Sequence, residues 1–274
     1  MKRASTLLLT MLCCLVLLCA CAGRRQAPSA TIERPQWGQA FQQAGLQPAQ
    51  GTMVLLHDGA DAVQVYNPAR AATPMLPAST FKILNACIAL ETGVASGPDQ
   101  VFPWNGVTHS VAAWNRDLTL QEAFAASSVP VFQELARRIG HERMQKYVQQ
   151  ARYGNANIGG EIDSFWLRGA LRISAREQLD FLQRLYHNRL PFSRRTMAMV
   201  KDIMVVEQGH GWTLRAKTGV AVQDTPHIGW WVGWVERGEK VWFFALNIDV
   251  AGPEQYGLRQ QIVKTILKAE GILP

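Results

Sequence analysis

Beyond its first two dozen residues the chain holds a single cysteine, Cys87; the other four of its five, Cys13, Cys14, Cys19 and Cys21, sit together near the start. A body with one thiol cannot form an internal disulfide, which excludes the small, stapled class of exported folds. Cys87 has no charged helper beside it in sequence and reads as a small buried apolar side chain rather than a reactive thiol. The six histidines (His57, His109, His141, His187, His210 and His227) contain no His-x-His and no His-Glu-x-x-His. That spacing excludes the familiar zinc hydrolases, and no metal is expected. Gly-x-Ser-x-Gly, the P-loop and the dinucleotide glycine pattern are missing too, which removes the commonest other enzyme classes. After the start no apolar stretch is long enough to span a bilayer, so no transmembrane domain is expected. Acidic residues are in deficit, 21 against 28 basic, and without Lys2 and Arg3 the balance is 26 to 21, or +5. The excess is scattered, with no dense basic run interleaved with aromatics, so it argues against nucleic acid and favours small anionic substrates.

With 48% apolar and 18% charged residues over 274 positions, the chain can bury a large core of one or two domains. It begins Met1-Lys2-Arg3, runs uncharged from Leu7 to Ala20 and ends that run in small residues. This is the order of a secretory signal, assigned to residues 1–22, so the mature protein is expected in the periplasm or secreted. Leu18-Cys19-Ala20-Cys21 also fits a lipoprotein signal with Cys21 acylated, which would anchor the protein to a membrane; both processing routes stay open. Residues 23–36, with Arg24, Arg25, Pro28 and Pro35, read as a tether.

The folded domain is expected over 37–274. Thr52 to Leu56 and Ala62 to Tyr66 flank Asp58-Gly59 as a β-hairpin. From Ser79 to about Met204 the period turns helical, in segments 79–90, Leu118 to Ile139 and Ala175 to Leu190. Leu214 to Val220, Ile228 to Glu236 and Val241 to Val250 return to strand, and an amphipathic helix closes the chain from about Gly257 to Ala269. The fold class is therefore α+β: an antiparallel sheet from the N- and C-terminal segments (about 37–75 and 205–274) flanked by helices, with a helical region (about 76–204) inserted and a cleft where they meet.

Three short motifs carry chemistry. Ser79-Thr80-Phe81-Lys82 sets a hydroxyl and an amine three residues apart at a helix start, where i and i+3 share a face. Ser127-Ser128-Val129 supplies a second hydroxyl, and Lys217-Thr218-Gly219 lies on a strand. Each is common alone, since Ser and Thr are ordinary caps and a Lys-Thr-Gly often just ends a strand. In this order they form the set used by penicilloyl serine transferases and serine β-lactamases. The set answers three needs: a serine needs an adjacent base, an oxyanion needs fixed donors and an anionic substrate needs cations. Free N–H groups at the helix start, Ser79 included, and the N–H of Val220 after Lys-Thr-Gly are candidate oxyanion donors.

Tyr153-Gly154-Asn155, Phe165-Trp166-Leu167 and Gly229-Trp230-Trp231-Val232-Gly233-Trp234, with Trp114-Asn115-Arg116-Asp117 and Tyr256-Gly257-Leu258-Arg259-Gln260, extend the likeness from Trp37 to the C-terminus. The chain resembles the class D, oxacillinase-type serine β-lactamases, with their β-lactamase/transpeptidase-like fold. The resemblance implies β-lactam small molecules as partners, Ser79 as nucleophile and Lys82 as base, modified by carbon dioxide to a carbamate that the Trp166 indole helps hold. It implies that Ser127 relays protons, Lys217 supplies positive field, Thr218 and Arg259 receive the substrate carboxylate, and Gly219, Val129 and Leu167 also bind substrate. Phe81, Ile83, Val129 and Leu167 would desolvate Lys82, and so lower its pKa and favour a neutral amine able to add carbon dioxide. Homodimerisation stays open. Val220 departs from the aromatic frequent at that position, which bears on substrate preference. The rivals are a penicillin-binding transpeptidase, which usually has Asn where this chain has Val129, and a β-lactam sensor domain, which acylates without fast turnover.

Overall fold

The structure, a computed structural model, describes residues 30–223 and 225–274; the expected signal segment and Cys21 lie outside them. The strands are β1 (Ala30–Glu33), β2 (Gly51–His57), β3 (Ala62–Tyr66), β4 (Val101–Phe102), β5 (Leu118–Thr119), β6 (Val205–Gly209), β7 (Trp212–Ala221), β8 (His227–Arg237) and β9 (Lys240–Val250). The helices are α1 (Gly38–Gln43), α2 (Pro68–Ala71), α3 (Lys82–Glu91), α4 (Leu120–Ala125), α5 (Val129–Ile139), α6 (His141–Gln150), α7 (Phe165–Arg168), α8 (Ala175–Tyr186), α9 (Arg194–Ile203) and α10 (Leu258–Ala269).

Seven strands form one sheet in the order β1-β3-β2-β9-β8-β7-β6, so the N-terminal hairpin and the C-terminal meander share a ladder between β2 and β9. The expected architecture holds, with two local corrections. The sheet is not wholly antiparallel, because β1 runs parallel to β3. Nor does a tether extend to residue 36. From Ala30 the backbone pairs with Ala62 to Val65, and Arg34 Nε donates to Gln64 Oε1 at 2.6 Å. All four β1 side chains are exposed, so hydropathy could not reveal this strand, which is held by backbone pairing.

Both faces of the sheet are covered, which is why β8 reads as a continuous apolar run instead of an alternating one. Trp230, Val232 and Trp234 point into the core shared with the helical region, whereas Trp231 and Val235 pack with Phe41 on α1 and Ile262, Val263 and Ile266 on α10. Helix α8 lies against β2, β8 and β9, and its start is fixed by a capping box in which Ser174 and Glu177 satisfy each other's backbone N–H. Thr119 and Glu122 make the same box at α4.

That second box belongs to a further correction. The periodic stretch from Leu118 to Ile139, expected as one helix, is two. Ser127 takes φ 52°, Ser128 caps α5 by accepting from Val131 N, and Pro130 occupies the first turn. A left-handed residue cannot continue a helix, so the chain turns here and presents Ser127 at the cleft.

Candidate active site

A 3-10 turn over Ala78–Phe81 runs directly into α3. It brings Lys82 Nζ to 2.7 Å from Ser79 Oγ, with the amine donating. Lys82 is fully buried and Ser79 partly exposed, so the hydroxyl faces the cleft and the amine lies behind it. Burial, and then the neighbouring Lys217 charge, hold the Lys82 amine well below the ordinary lysine range.

Phe81 and Ile83 are fully buried, while Val129 and Leu167 are half-buried, at the start of α5 and within α7. The ring that covers the amine is Phe132, whose centroid is 5.5 Å from Nζ. Asn85, one turn beyond Lys82, donates to the Phe132 carbonyl at 3.2 Å and so fixes α5 against α3. Phe132 sits three residues after Val129 and was hidden in a run of core apolars. Trp166 stacks on Phe81 with centroids 5.4 Å apart, is fully buried, and has no hydrogen-bond partner for Nε1 among the described residues. An indole N–H without an acceptor in a closed apolar site is costly.

Across the cleft, Lys217 Nζ donates to Ser127 Oγ at 3.0 Å and to the Thr218 carbonyl at 3.1 Å. Burial, and then the charge of Arg259, lower its pKa to about 7. Arg259 is itself buried, donating from Nη1 to the Gly219 carbonyl at 2.8 Å and from Nε to the Tyr256 carbonyl at 2.5 Å, with its pKa lowered by burial to about 10. The sequence reading of Arg259 as a carboxylate ligand omitted this structural tie to β7.

Gly219 lets the strand approach the nucleophile. A Cβ there would stand 3.0 Å from the Pro77 carbonyl oxygen, 3.1 Å from Ser79 N and 3.1 Å from Thr80 N, too close for another residue without movement. Val220 follows at once, so its N–H lies on the same short stretch of β7. The structure therefore gathers Ser79, Lys82, Ser127, Lys217 and Gly219 around one cleft, with Arg259 bonded to the Gly219 carbonyl and Trp166 stacked on Phe81. Cys87 is fully buried and free, and burial pushes its thiol pKa up, in keeping with an inert apolar role.

The comparisons bear on the family and the fold. The family profile for the penicillin binding protein transpeptidase domain matches residues 42–268. β-Lactamase OXA-48 of Klebsiella pneumoniae is 49% identical over 226 residues, 82% of this chain and 85% of that protein. β-Lactamase OXA-10 of Pseudomonas aeruginosa is 42% identical over 257 residues, 93% of this chain and 96% of that one. The crystal structure of the class D β-lactamase YbXI from Nostoc superimposes with a TM-score of 0.84 at 43% identity, covering 86% of this chain and 99% of that one. The fold and its paired serines and lysines thus define a transpeptidase-type serine acyl-transfer domain. Within that class the chain belongs to the class D β-lactamases, which need no metal.

Proposed function

We propose that the chain hydrolyses the lactam amide of penicillin-type antibiotics through an acyl-enzyme on Ser79, and so confers resistance on its host. The observation that carries the reading is the pairing of two serine–lysine contacts across one cleft, 2.7 Å for Ser79 with Lys82 and 3.0 Å for Ser127 with Lys217. One pair suits attack and the other suits departure. As Ser79 Oγ bonds to the lactam carbonyl carbon, its proton passes to the Lys82 side chain, and the backbone N–H groups of Ser79 and Val220 receive the developing oxyanion. When the C–N bond breaks, the amide nitrogen takes its proton from Ser127, which Lys217 orients and replenishes.

Thr218, Gly219 and Arg259 form the end of the site that takes the substrate carboxylate, with the Lys217 charge beside them, while Val129, Leu167 and Val220 line its apolar part. The proton that Lys82 took from Ser79 passes on to replenish Lys217; water then attacks the acyl ester, gives its proton to Lys82, and Ser79 Oγ takes that proton as the ester C–O bond breaks. A carbon dioxide adduct fits the pocket: the buried amine is biased to its neutral form and the Trp166 indole offers an unused donor. When present, the carbamate supplies the anionic general base. Phe132 and Phe81 keep bulk water from it.

Export and residence in the periplasm, with or without a lipid anchor at Cys21, belong to the same proposal. Among the described residues no helix is long and apolar enough to cross a membrane. With β1 paired to β3, the catalytic domain of this reading extends from Ala30 rather than Trp37 to the C-terminus.

Turnover tests the function. With a chromogenic cephalosporin in large excess the enzyme is expected to release product linearly for many equivalents. A transpeptidase or a sensor would stop after about one equivalent, with the acyl-enzyme stable. Arg259→Ala is expected to raise KM by about tenfold to a hundredfold with a smaller change in kcat, because the carboxylate contact exists in both ground and transition states. Loss of the Gly219 tie should add a modest fall in Tm. A collapsed kcat at unchanged KM would instead put Arg259 in the chemistry.

A further inference from the structure

The turn that carries the nucleophile contains an unfavourable backbone. Ala78, immediately before Ser79, has φ 47°, a left-handed conformation in which its Cβ crowds the following carbonyl. Such a residue persists only where its surroundings over-determine it. Two tethers hold the carbonyls on its N-terminal side. Trp230 Nε1, from the middle of β8, donates to the Leu76 carbonyl at 2.9 Å. The Thr80 hydroxyl donates to the Pro77 carbonyl at 2.7 Å, alongside the Thr80 N–H at 3.2 Å.

The second tether has a further link. Gln178, fully buried on α8 and 98 residues away in sequence, donates Nε2 to Thr80 Oγ1 at 2.7 Å. A hydroxyl carries one proton and two lone pairs. With a lone pair occupied by the glutamine N–H, the proton is left pointing to Pro77, and the rotor is locked. The Tyr153 hydroxyl lies beside Thr80 and Gln178 but makes no well-formed hydrogen bond among the described residues, whereas the Gln178 bond to Thr80 is short and directional. The same Pro77 oxygen is the atom that would stand 3.0 Å from a Cβ on Gly219. A shift of Pro77 therefore moves the nucleophile and its relation to β7 together.

We propose that Gln178 is a positioning residue for acylation: through Thr80 it clamps the Pro77 carbonyl and holds the left-handed Ala78 that aims Ser79 at the substrate. The proposal rests on Ser79 being the nucleophile. It assigns Gln178 and Thr80 no contact with substrate.

Single-turnover acylation tests it, using Gln178→Met, which keeps length and volume but donates nothing. The acylation rate constant is expected to fall by about tenfold or more, while substrate Kd, measured with each change placed on Ser79→Ala, stays within about twofold. Thr80→Val should show the same loss, and adding Gln178→Met to it should cost little more, because both break one chain of hydrogen bonds. Ala78→Gly should restore most of the rate to Gln178→Met, since glycine adopts this φ without the clamp. A role in packing alone would not be rescued there. If Gln178→Met does not fold, Thr80→Val against Thr80→Ser gives the same reading, with loss in the first and retention in the second.

A folded Gln178→Met that acylates at the parent rate overturns the proposal, as does a loss that Ala78→Gly fails to relieve. Ser79→Ala run in parallel separates the two levels. If it still acylates, the site assignment is wrong; if it is inert while Gln178→Met is unaffected, only the positioning role fails.

Discussion

Ser79→Ala is expected to yield a folded protein that neither turns over a β-lactam nor acquires an acyl adduct, with kcat/KM down by about 10³-fold or more. The hydroxyl is the group the geometry presents to the cleft, with Lys82 Nζ 2.7 Å behind it and β7 close on the other side. Its removal takes away the bond-forming atom while leaving the donors of the cleft in place. The fold should survive. Ser79 lies inside the 3-10 turn and caps no helix, so the structural loss is one acceptor for the buried amine, about 1 to 3 kcal/mol. Electrospray mass spectrometry after incubation with a slow β-lactam reads the adduct directly, and thermal denaturation checks folding. An adduct in Ser79→Ala of the same mass as in the parent would move the nucleophile elsewhere, with Ser127 the next hydroxyl to examine.

Much of this site was legible because catalysis here demands residue types at short range. Ser79 and Lys82 meet through helical spacing alone, and Lys217 and Gly219 share one strand, so local periodicity carried each motif. Their convergence was legible only as a resemblance. Nothing local to Ser127 says that it meets Lys217, 90 positions away; the contact depends on a left-handed break at a place where hydropathy reads as unbroken helix. Phe132 and Gln178 stayed hidden for a different reason. Phe132 looks like any core aromatic on the apolar face of α5, and Gln178 like any polar residue of α8. Their partners, the Lys82 amine and the Thr80 hydroxyl, are brought to them by tertiary packing. β1 was missed because an exposed edge strand leaves no apolar signature. The sheet, by contrast, could be read from its ends, since a run such as Trp230 to Val235 with turns on either side fits only a strand buried on both faces.

The second large effect concerns Lys82, and its sign follows from burial. A lysine whose pKa is lowered in the fold is neutral there over a range in which the unfolded chain would be charged, and only the neutral amine adds carbon dioxide, releasing one proton. As pH falls through that lowered pKa the amine becomes ammonium, the adduct is lost and the base with it. Acid treatment in buffer freed of carbon dioxide is therefore expected to remove most activity, and bicarbonate at neutral pH to return it. Trp166→Phe keeps the ring on Phe81 and deletes only the indole donor; it should weaken the adduct by about 1 to 3 kcal/mol, so that full activity needs roughly tenfold or more bicarbonate. Lys82→Ala should be inactive at every bicarbonate concentration. Carbon-13 NMR with labelled bicarbonate supplies the direct reading, as a protein-bound carbamate resonance present in the parent and in Ser79→Ala but absent from Lys82→Ala. A fully active enzyme with no such resonance, and with a rate indifferent to bicarbonate, would mean that Lys82 acts as a free amine, hydrogen-bonded to Ser79 as the structure shows it.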